Sequence, residues 1–422
     1  MQRSTFRIVV AAGAAIGLAA LAGCGGSSTP AESDSGTVVF WDTSGPDETP
    51  VFSRIAQDCA QKGGYKVQVE QVPFAQAKNN FKTAAQGGQG PDVLRTDVGW
   101  VAELAKLGLL ADLSDTDAAK DTGDYNSLAV ASTKYDGKTY GVPQVIDTMG
   151  LYYNKKLLNA AGVAPPKTYD EIKAASAKLG GDKTIFINPG SYYALPFIYS
   201  AGADLVDPAT KKITVSSPKA VDGLQAAKGL LDAKAARTSL DSANAYNNIE
   251  AAFKAGEVAM IVNGPWAYSG YLKAPSFSDK ASLGVTAVPG PTGPGKAPQG
   301  GHDYTIRQGT KAKPSSLKFI QCMSSTESQV EVSKSLGLIP TRKTALDNAD
   351  AKASGGVAAF GPLLDSNTQA RPSVPEYSAL IDGGGPLAPS YLALLGGTKD
   401  AKAAADEAAQ AFGPLLPGYT SG

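Results

Sequence analysis

Short strand-like runs alternate with longer helical runs from Thr37 onward. Residues 37–41 and 66–72 have the composition of strands, whereas residues 50–62 and 74–88 repeat apolar side chains at helical spacing. This alternation predicts an α/β fold with a mainly parallel sheet and helices on both faces. At 422 residues, the chain is long enough for two lobes, each with its own core.

The first residues have the features of a secretory signal peptide over residues 1–23. Two arginines precede an apolar run over residues 8–21, and small residues then lead to Cys24. This run is shorter than a membrane-spanning helix normally needs, although an uncleaved membrane helix is the alternative. The small residues before Cys24 resemble a bacterial lipobox, which implies acylation of the Cys24 sulfur. Residues 24–36, rich in Ser and Gly, would then form a tether.

Charge and motifs argue against nucleic acid binding and against most kinds of catalysis. The chain has 39 basic and 39 acidic residues, with no basic cluster. Its single histidine, His302, excludes a multi-histidine zinc site. Residues 290–296 fit the P-loop spacing, but Ala297 occupies the position of the required Ser or Thr, and two prolines remove backbone donors. We therefore expect no metal, no cofactor and no enzymatic reaction. A glycoside hydrolase is still an alternative, because it needs only two suitably spaced acids.

Aromatic residues stand beside polar ones at strand and turn ends. In IVNGPWAYSG (residues 261–270), an apolar run stops at a breaker cluster and Pro265 suits the first position of a helix. Trp266 would then lie at the carboxyl end of a strand, where open α/β sheets bind ligands. Tyr and Trp side chains combine a flat apolar ring with a polar tip. They therefore suit sugars, which have apolar CH faces and hydroxyl rims. The alternative is that these aromatic residues are ordinary core.

Three segments carry a resemblance to a known family: GPDVL (90–94) with LGLLADLSD (107–115), YDGKTYGVP (135–143) with LYYNKKLL (151–158), and AAFKAGEVAMIVNGPWAY (251–268). From about Thr37 to Tyr377, the chain resembles the extracellular solute-binding proteins of ATP-binding-cassette (ABC) importers, in the carbohydrate-binding group typified by maltose/maltodextrin-binding protein.

The resemblance implies a two-lobed periplasmic-binding-protein-like fold of type II, with a hinge and an interlobe cleft. The implied lobes are residues 37–145 with 300–340, and residues 146–290 with 345–422. The chain would cross between them near residues 145–147, 288–300 and 338–343.

The resemblance also implies a ligand set, in which Trp266 stacks on a sugar ring and Asp147 accepts hydrogen bonds from sugar hydroxyls. The full set is Thr43, Ser44, Asp97, Trp100, Asp147, Tyr192, Tyr193, Trp266, Tyr268, His302, Asp303 and Arg371. Two positions depart from the family: Ile381 replaces a stacking tryptophan and Thr96 replaces an aromatic residue. Fewer aromatic platforms imply a shorter ligand, or a sugar other than maltose.

Two cysteines remain after Cys24. Cys59 and Cys322 lie in helical patterns, at positions that would face the core. Outside the cytoplasm they can pair, or they can stay as buried free thiols. Both replace phenylalanines that are common in the family, on two helices of one lobe, and this paired replacement favours a disulfide.

The sequence therefore predicts a monomeric, lipid-anchored receptor on the outer face of the cytoplasmic membrane. It would deliver a maltose- or maltodextrin-like carbohydrate to the permease subunits of an ABC importer. A receptor for another sugar, a polyol or a glycoside is the alternative within this class.

Overall fold

The computed structural model describes residues 34, 36–382 and 384–422. The predicted signal peptide, Cys24 and most of the tether lie outside the described residues. Among the residues that are described, no helix has both the length and the apolar character needed to cross a membrane.

Two main sheets organise the chain. In chain order, their strands are β1 (Thr37–Asp42), β2 (Lys66–Gln71), β3 (Val93–Asp97), β4 (Gly141–Asp147), β5 (Gly150–Asn154), β6 (Ile185–Ile187), β7 (Ala236–Thr238), β8 (Met260–Asn263), β9 (Leu283–Thr286), β10 (Gly300–Ile306) and β11 (Ile339–Pro340). The first lobe is built on a six-stranded sheet of order β11-β4-β10-β3-β1-β2, and the second on a five-stranded sheet of order β7-β6-β8-β5-β9. Short strands also pair at Val206–Asp207, Lys212–Ile213 and Thr420–Ser421, at Ala297–Pro298 with Thr368–Gln369, and at Lys134–Tyr135 with Lys138–Thr139.

The prediction of a mainly parallel sheet is wrong. β1 pairs in parallel with β2 and β3, but β10 is antiparallel to both β3 and β4, and β11 is antiparallel to β4. In the second sheet, β5 is antiparallel to β8 and β9. Most of these strands lie next to the crossings between lobes. Two parallel neighbours must be joined by a right-handed crossover connection. A strand that the chain enters directly from the other lobe needs no such connection, so it can be antiparallel.

Helices cover the sheets, and they form where the sequence provides caps and an apolar face. Thr168 Oγ1 accepts from Glu171 N at 3.1 Å, and Glu171 Oε2 accepts from Lys167 N, so the predicted helix start is fixed from both sides. The α-helices are Thr49–Gly63, Phe74–Gln86, Val101–Lys106, Asp117–Lys120, Ser127–Ser132, Lys155–Ala160, Tyr169–Leu179, Leu195–Ser200, Pro218–Asp232, Ala245–Ala255, Tyr268–Tyr271, Lys313–Met323, Thr326–Leu336, Lys343–Leu346, Ala349–Ala353, Gly355–Ser366, Tyr377–Ile381, Leu387–Leu395 and Ala401–Phe412.

An aromatic core lies under the first sheet. The ring of Phe40 packs 5.8 Å from that of Tyr304 and 5.1 Å from that of Phe319. Cys59 and Cys322 form a disulfide beside this core, with their Cα atoms 5.7 Å apart, and it joins the helices Thr49–Gly63 and Lys313–Met323. Aromatic packing and a covalent link thus support the strands of the first lobe.

Two segments connect the sheets closely. β4 ends at Asp147 and β5 begins at Gly150, so the chain crosses within Thr148 and Met149. Residues 288–302, which their prolines and glycines predict to be a loose connector, are instead packed. Ala297 N donates to Asn367 O and Gln299 N donates to Gln369 O, each at 2.8 Å. These backbone hydrogen bonds to residues 367 and 369 therefore hold the segment 288–302 in place.

Candidate functional site

Trp266 lies where the two lobes meet. β8 ends at Asn263, and a short 3-10 helix, Pro265–Ala267, begins after Gly264. The half-buried indole packs against the aromatic core of the first lobe and against apolar residues of the second. Its Nε1 donates to Tyr246 Oη at 3.2 Å, and Tyr246 is 39% exposed. Trp266 therefore has its edge fixed by a hydrogen bond at the boundary between lobes.

Tyr192 and Tyr193 lie in the same part of the second lobe. Their rings are 6.1 Å apart and nearly perpendicular. Both tyrosines and Trp266 contact a small apolar cluster of Met149, Val288 and Ala297. We call Tyr192, Tyr193, Tyr246 and Trp266 the aromatic wall.

Hydrogen bonds hold the aromatic wall in place. Tyr193 Oη donates to Asn263 Oδ1 at 3.2 Å. Asn263 Nδ2 in turn donates to Glu250 Oε1 at 2.7 Å and to Tyr271 Oη at 2.9 Å. This network fixes the orientation of the wall before any ligand arrives.

Asp147 is a buried carboxylate at the end of β4. It is 5% exposed, and its Oδ1 has no hydrogen-bond partner within the described part of the chain. Burial and the nearby Asp97 carboxylate raise the pKa of Asp147 to about 7, against the opposing effect of Arg371 and Arg95. Gly300 pairs with it in β10, and a Cβ on Gly300 would lie 2.1 Å from Asp147 Oδ1 and 2.9 Å from Tyr192 Oη. Only a glycine at position 300 lets the Asp147 carboxylate and the Tyr192 hydroxyl lie this close to the backbone of β10.

Asp97 and Arg371 form an ion pair between distant segments of the chain. Arg371 Nη2 lies 2.9 Å from Asp97 Oδ1, and the side chains are only 7% and 13% exposed. The Arg371 guanidinium also lies 5.7 Å from the centroid of the Tyr192 ring. The pair thus links the end of β3 to the aromatic wall.

Trp100 is buried rather than presented to the cleft. Its Nε1 donates to Asp382 Oδ2 at 2.8 Å, which links the first lobe to the segment after the helix Tyr377–Ile381. Phe74 packs on it with ring centroids 4.9 Å apart, and Phe74 is itself 41% exposed. The exposed aromatic surface at this point therefore belongs to Phe74, a residue that the sequence analysis missed.

Four other predicted ligand residues make contacts within the protein. Thr43 Oγ1 donates to Arg95 O, and Ser44 Oγ donates to Asp42 Oδ2. Asp303 accepts from Ser132 Oγ at 3.1 Å, and burial raises its pKa well above the usual value. Tyr268 packs on a glycine pair, since a Cβ on Gly355 would lie 2.2 Å from Tyr268 Oη. Among the other predicted residues, Arg371 contacts Asp97 and Tyr192, and Tyr192, Tyr193 and Trp266 share one apolar cluster.

Of a group of largely buried polar side chains on and beside β3, β4 and β10, only His302 was predicted. Arg95 Nε donates to Gln144 Oε1 at 2.9 Å, and its guanidinium lies 5.0 Å from the Phe52 ring centroid. Tyr304 pairs with Arg95 in the sheet, and His302 lies two residues before Tyr304 on the same strand. We call Glu48, Arg95, Gln144, His302 and Tyr304 the polar cluster. One signal in the sequence was Arg95 itself, a charge within the strand DVLRTD.

The charges of this region follow from burial. Burial raises the pKa of Glu48, which is 4% exposed, while the Arg95 guanidinium lowers it. Burial and the guanidiniums of Arg95 and Arg371 lower the pKa of His302 well below its usual value, so the imidazole is neutral. The described residues contain no group of three or more acidic, histidine or cysteine side chains placed to hold a metal ion.

Comparison with known proteins places the chain in a family. A family model described as bacterial extracellular solute-binding protein matches residues 54–359. The maltooligosaccharide ABC transporter solute-binding lipoprotein of Streptococcus pneumoniae (strain ATCC BAA-255 / R6) is 28% identical over 85% of this chain and 84% of its own. The diacetylchitobiose binding protein DasA of Streptomyces coelicolor is 25% identical over 94% and 96%.

Solved structures share the fold. The GacH receptor of Streptomyces glaucescens GLA.O, solved unliganded and in complex with acarbose, superposes with a TM-score of 0.86 at 38% identity, over 91% of this chain and 99% of that chain. Maltose-bound MalE3 of T. maritima superposes with a TM-score of 0.78 at 24% identity, which supports the fold alone. These comparisons confirm the predicted two-lobed α/β fold, and they show that the chain belongs to the bacterial extracellular solute-binding proteins, a family of binding receptors rather than enzymes.

Proposed function

We propose that this protein binds maltose- or maltodextrin-like oligosaccharides between its lobes and delivers them to the permease of an ABC importer. One observation carries the proposal: the aromatic wall of the second lobe stands near two buried carboxylates, Glu48 in the first lobe and Asp147 at the crossing between the lobes. The Glu48 carboxylate lies within electrostatic range of the Tyr246 hydroxyl, and that of Asp147 lies within range of Tyr192 and Tyr193.

This arrangement matches the chemistry of a sugar. The CH face of a pyranose packs on an indole or phenol ring, and such rings contribute both area and a polar tip. Its hydroxyl groups donate to carboxylates, which make the stronger, charge-assisted class of hydrogen bond. Asp147 Oδ1, which has no hydrogen-bond partner in the part of the chain that the structure describes, is an acceptor of this kind.

The names of the relatives support an α-glucan-like ligand. They include a maltooligosaccharide-binding lipoprotein, a maltotriose-binding protein of Pyrococcus abyssi and a receptor solved with acarbose. Ile381 is buried in the core of the second lobe, and Thr96 Oγ1 is hydrogen-bonded to Thr305 Oγ1 at 2.6 Å, so neither provides a stacking platform. This supports a ligand of few sugar rings.

Binding would close the lobes about the hinge. We take the first lobe as residues 37–145 with 300–340, and the second as residues 146–290 with 345–422. A sugar held by the aromatic wall of the second lobe and by Glu48 of the first favours the closed form, since it contacts both lobes only there. The permease would then recognise the closed form.

The predicted signal peptide and Cys24 support an anchor outside the cytoplasm. In the proposal, cleavage before Cys24 and acylation of its sulfur tether a monomer to the outer face of the membrane. Cys24→Ser should move the protein from the membrane fraction to the medium. Retention of this variant in the membrane would contradict the anchor.

A thermal-shift series tests the ligand. The panel is maltose, maltotriose, maltotetraose, acarbose, diacetylchitobiose and sorbitol. A ligand at about 100 times its dissociation constant should stabilise the protein by roughly 2.7 kcal/mol. The largest shift is expected for a maltodextrin or acarbose. A larger shift with diacetylchitobiose or sorbitol would change the proposed specificity, and product formation from any sugar would contradict a receptor.

A further inference from the structure

One exposed ion pair joins the two lobes at the end of the cleft where Trp266 lies. Lys273 Nζ lies 3.4 Å from Asp47 Oδ1, and the two side chains are 65% and 48% exposed. Asp47 follows β1 of the first sheet, whereas Lys273 follows β8 of the second. Since the two residues are 226 positions apart in the chain, the contact depends on how the lobes approach each other.

The backbone of Gly270 provides the space for this contact. A Cβ on Gly270 would lie 2.7 Å from Asp47 Oδ2 and 3.4 Å from Lys254 Nζ. The Asp47 carboxylate therefore lies near two ammonium groups of the second lobe, those of Lys254 and Lys273. Glycine is disfavoured within helices, and at this position the close approach of a carboxylate from the other lobe accounts for it.

A closed turn holds Asp47 in place on the first lobe. Glu48 N and Thr49 N both donate to Gly45 O, at 2.9 and 3.0 Å. Gly45 N donates in turn to Glu48 Oε2 at 3.0 Å. Pro46, within the turn, has a fixed φ. Asp47 is thus positioned by the turn and directly precedes Glu48, a carboxylate of the proposed ligand site.

On the second lobe, Lys254 belongs to the network that holds the aromatic wall. Lys254 Nζ lies 3.3 Å from Glu250 Oε2. Glu250 Oε1 accepts from Asn263 Nδ2, and Asn263 Oδ1 accepts from Tyr193 Oη. The contact at Asp47 is therefore connected through Lys254 to residues that would stack on a ligand.

Both partners of the ion pair lie outside the proposed crossings at residues 145–147, 288–300 and 338–343. A hinge movement therefore changes the distance between Asp47 and Lys273. An exposed ion pair contributes little to stability and is screened by salt. It nevertheless biases an equilibrium between an open and a closed form when only the closed form contains it.

We propose that Asp47, Lys254, Gly270 and Lys273 form a clasp between the lobes that slows the release of bound ligand. Asp47 and the two lysines are positioning residues that act without contacting the ligand, and Gly270 admits the carboxylate. The clasp gives the receptor a distinctive property: an uncharged sugar leaves faster as the salt concentration rises. This inference rests on the proposed function and adds to it what controls the rate of release.

Four variants of the full chain, purified in detergent, test the clasp. Asp47→Ala removes the carboxylate, Gly270→Ala fills the space beside it, and the double variant combines the two. Asp406→Ala is the matched control, because Asp406 and Lys402 form a pair with side chains 42% and 64% exposed on a single helix of the second lobe. Stopped-flow fluorescence with maltotriose and acarbose gives the association and release rates, and melting without ligand reports folding.

We expect Asp47→Ala and Gly270→Ala each to release maltotriose about threefold faster, which is within the range for one exposed ion pair. The double variant should release it no faster than either single variant, because Gly270→Ala acts by displacing the Asp47 carboxylate. Raising NaCl from about 0.05 M to about 0.5 M should speed release from the wild type about twofold and leave Asp47→Ala unchanged. Asp406→Ala should match the wild type in every rate.

Two results in these rates would overturn the clasp while the receptor stands. One is release from Asp47→Ala at the wild-type rate at both salt concentrations. The other is an equal effect of Gly270→Ala with and without the Asp47 carboxylate, since the added methyl group would then act on the fold of the second lobe alone.

A cross-link separates the clasp from the proposed function. A Cβ on Gly270 would lie 3.6 Å from Asp47 Cγ, so the thiols of Asp47→Cys/Gly270→Cys are within reach of a disulfide when the lobes meet. Mass spectrometry after oxidation should show this cross-link, and maltotriose should speed its formation. If the wild type binds no sugar of the panel, the proposed function fails, but a cross-link formed without sugar still supports the clasp. Absence of the cross-link under both conditions overturns it.

Discussion

The two sides of the cleft differ in how completely their polar groups are satisfied. On the second lobe, Tyr193, Asn263, Glu250 and Tyr271 are joined in one hydrogen-bonded chain, and Trp266 is fixed through Tyr246. On the first lobe, the polar cluster retains buried atoms without partners among the described residues. The aromatic wall is thus held in place by its own hydrogen bonds, whereas Glu48 Oε1 and both His302 nitrogens of the polar cluster have no partner among the described residues.

The largest effect should come from breaking the ion pair that joins the two sides. Arg371→Ala leaves the Asp97 carboxylate buried without its cation, which typically costs about 3–5 kcal/mol. Urea unfolding of the variant should show this loss. The double variant Asp97→Asn/Arg371→Met should recover most of it, since the Asp97 carboxylate is no longer left buried without its cation. A loss below about 1 kcal/mol in the single variant would contradict this role.

The disulfide under the first lobe should matter nearly as much for stability and little for binding. It joins residues 263 positions apart, and removing a native disulfide costs about 2–5 kcal/mol. Cys59→Ala/Cys322→Ala should therefore melt well below the wild type and still bind maltotriose with unchanged affinity. A variant of wild-type stability would show that the aromatic core alone holds this lobe.

Removing the stacking platform should weaken binding without unfolding the protein. Trp266→Ala should lose about 100-fold in affinity, because truncating a central aromatic contact costs at least about 2 kcal/mol. Tyr268→Phe is the neighbouring control, and titration should show no change in it, since Tyr268 packs on Gly337 and Gly355. Loss of binding in Tyr268→Phe would place the ligand on the other side of Trp266.

The smallest effect is a pH dependence due to Asp147. Its folded-state pKa of about 7 lies above the usual value for an Asp, so the folded state holds a proton that the unfolded state has lost. The wild type should therefore lose stability relative to Asp147→Asn as pH rises from about 4 to 7. Melting curves of both proteins across this range measure the difference. Parallel curves would mean that Asp147 is ionised throughout.

The same group should make binding depend on pH. The charges facing Asp147 are Asp97, Arg371, Arg95 and Glu48. A sugar hydroxyl that donates to Asp147 favours the ionised carboxylate, so affinity should rise as pH passes through 7. Asp147→Asn should bind with a flatter pH profile.

The sequence predicts those site residues that lie together in a short segment, and it misses those that come from segments distant in the chain. Trp266, Tyr192 and Tyr193 were predicted because short motifs at strand ends carry them, and the family resemblance supplied their roles. Arg95, Gln144 and Tyr304 come from three strands that are distant in the chain and adjacent only in the sheet, so no local pattern groups them. The mixed strand directions were missed for the same reason, since they follow from the chain's return between lobes.

A crystal structure with bound maltotriose tests the central claim most directly. We predict a sugar ring stacked on Trp266, with ring hydroxyls about 2.5–3.2 Å from the carboxylates of Glu48 and Asp147. A ligand bound instead in the pocket lined by Ala102, Leu128, Lys134, Arg371 and Pro372, away from Trp266, would contradict it.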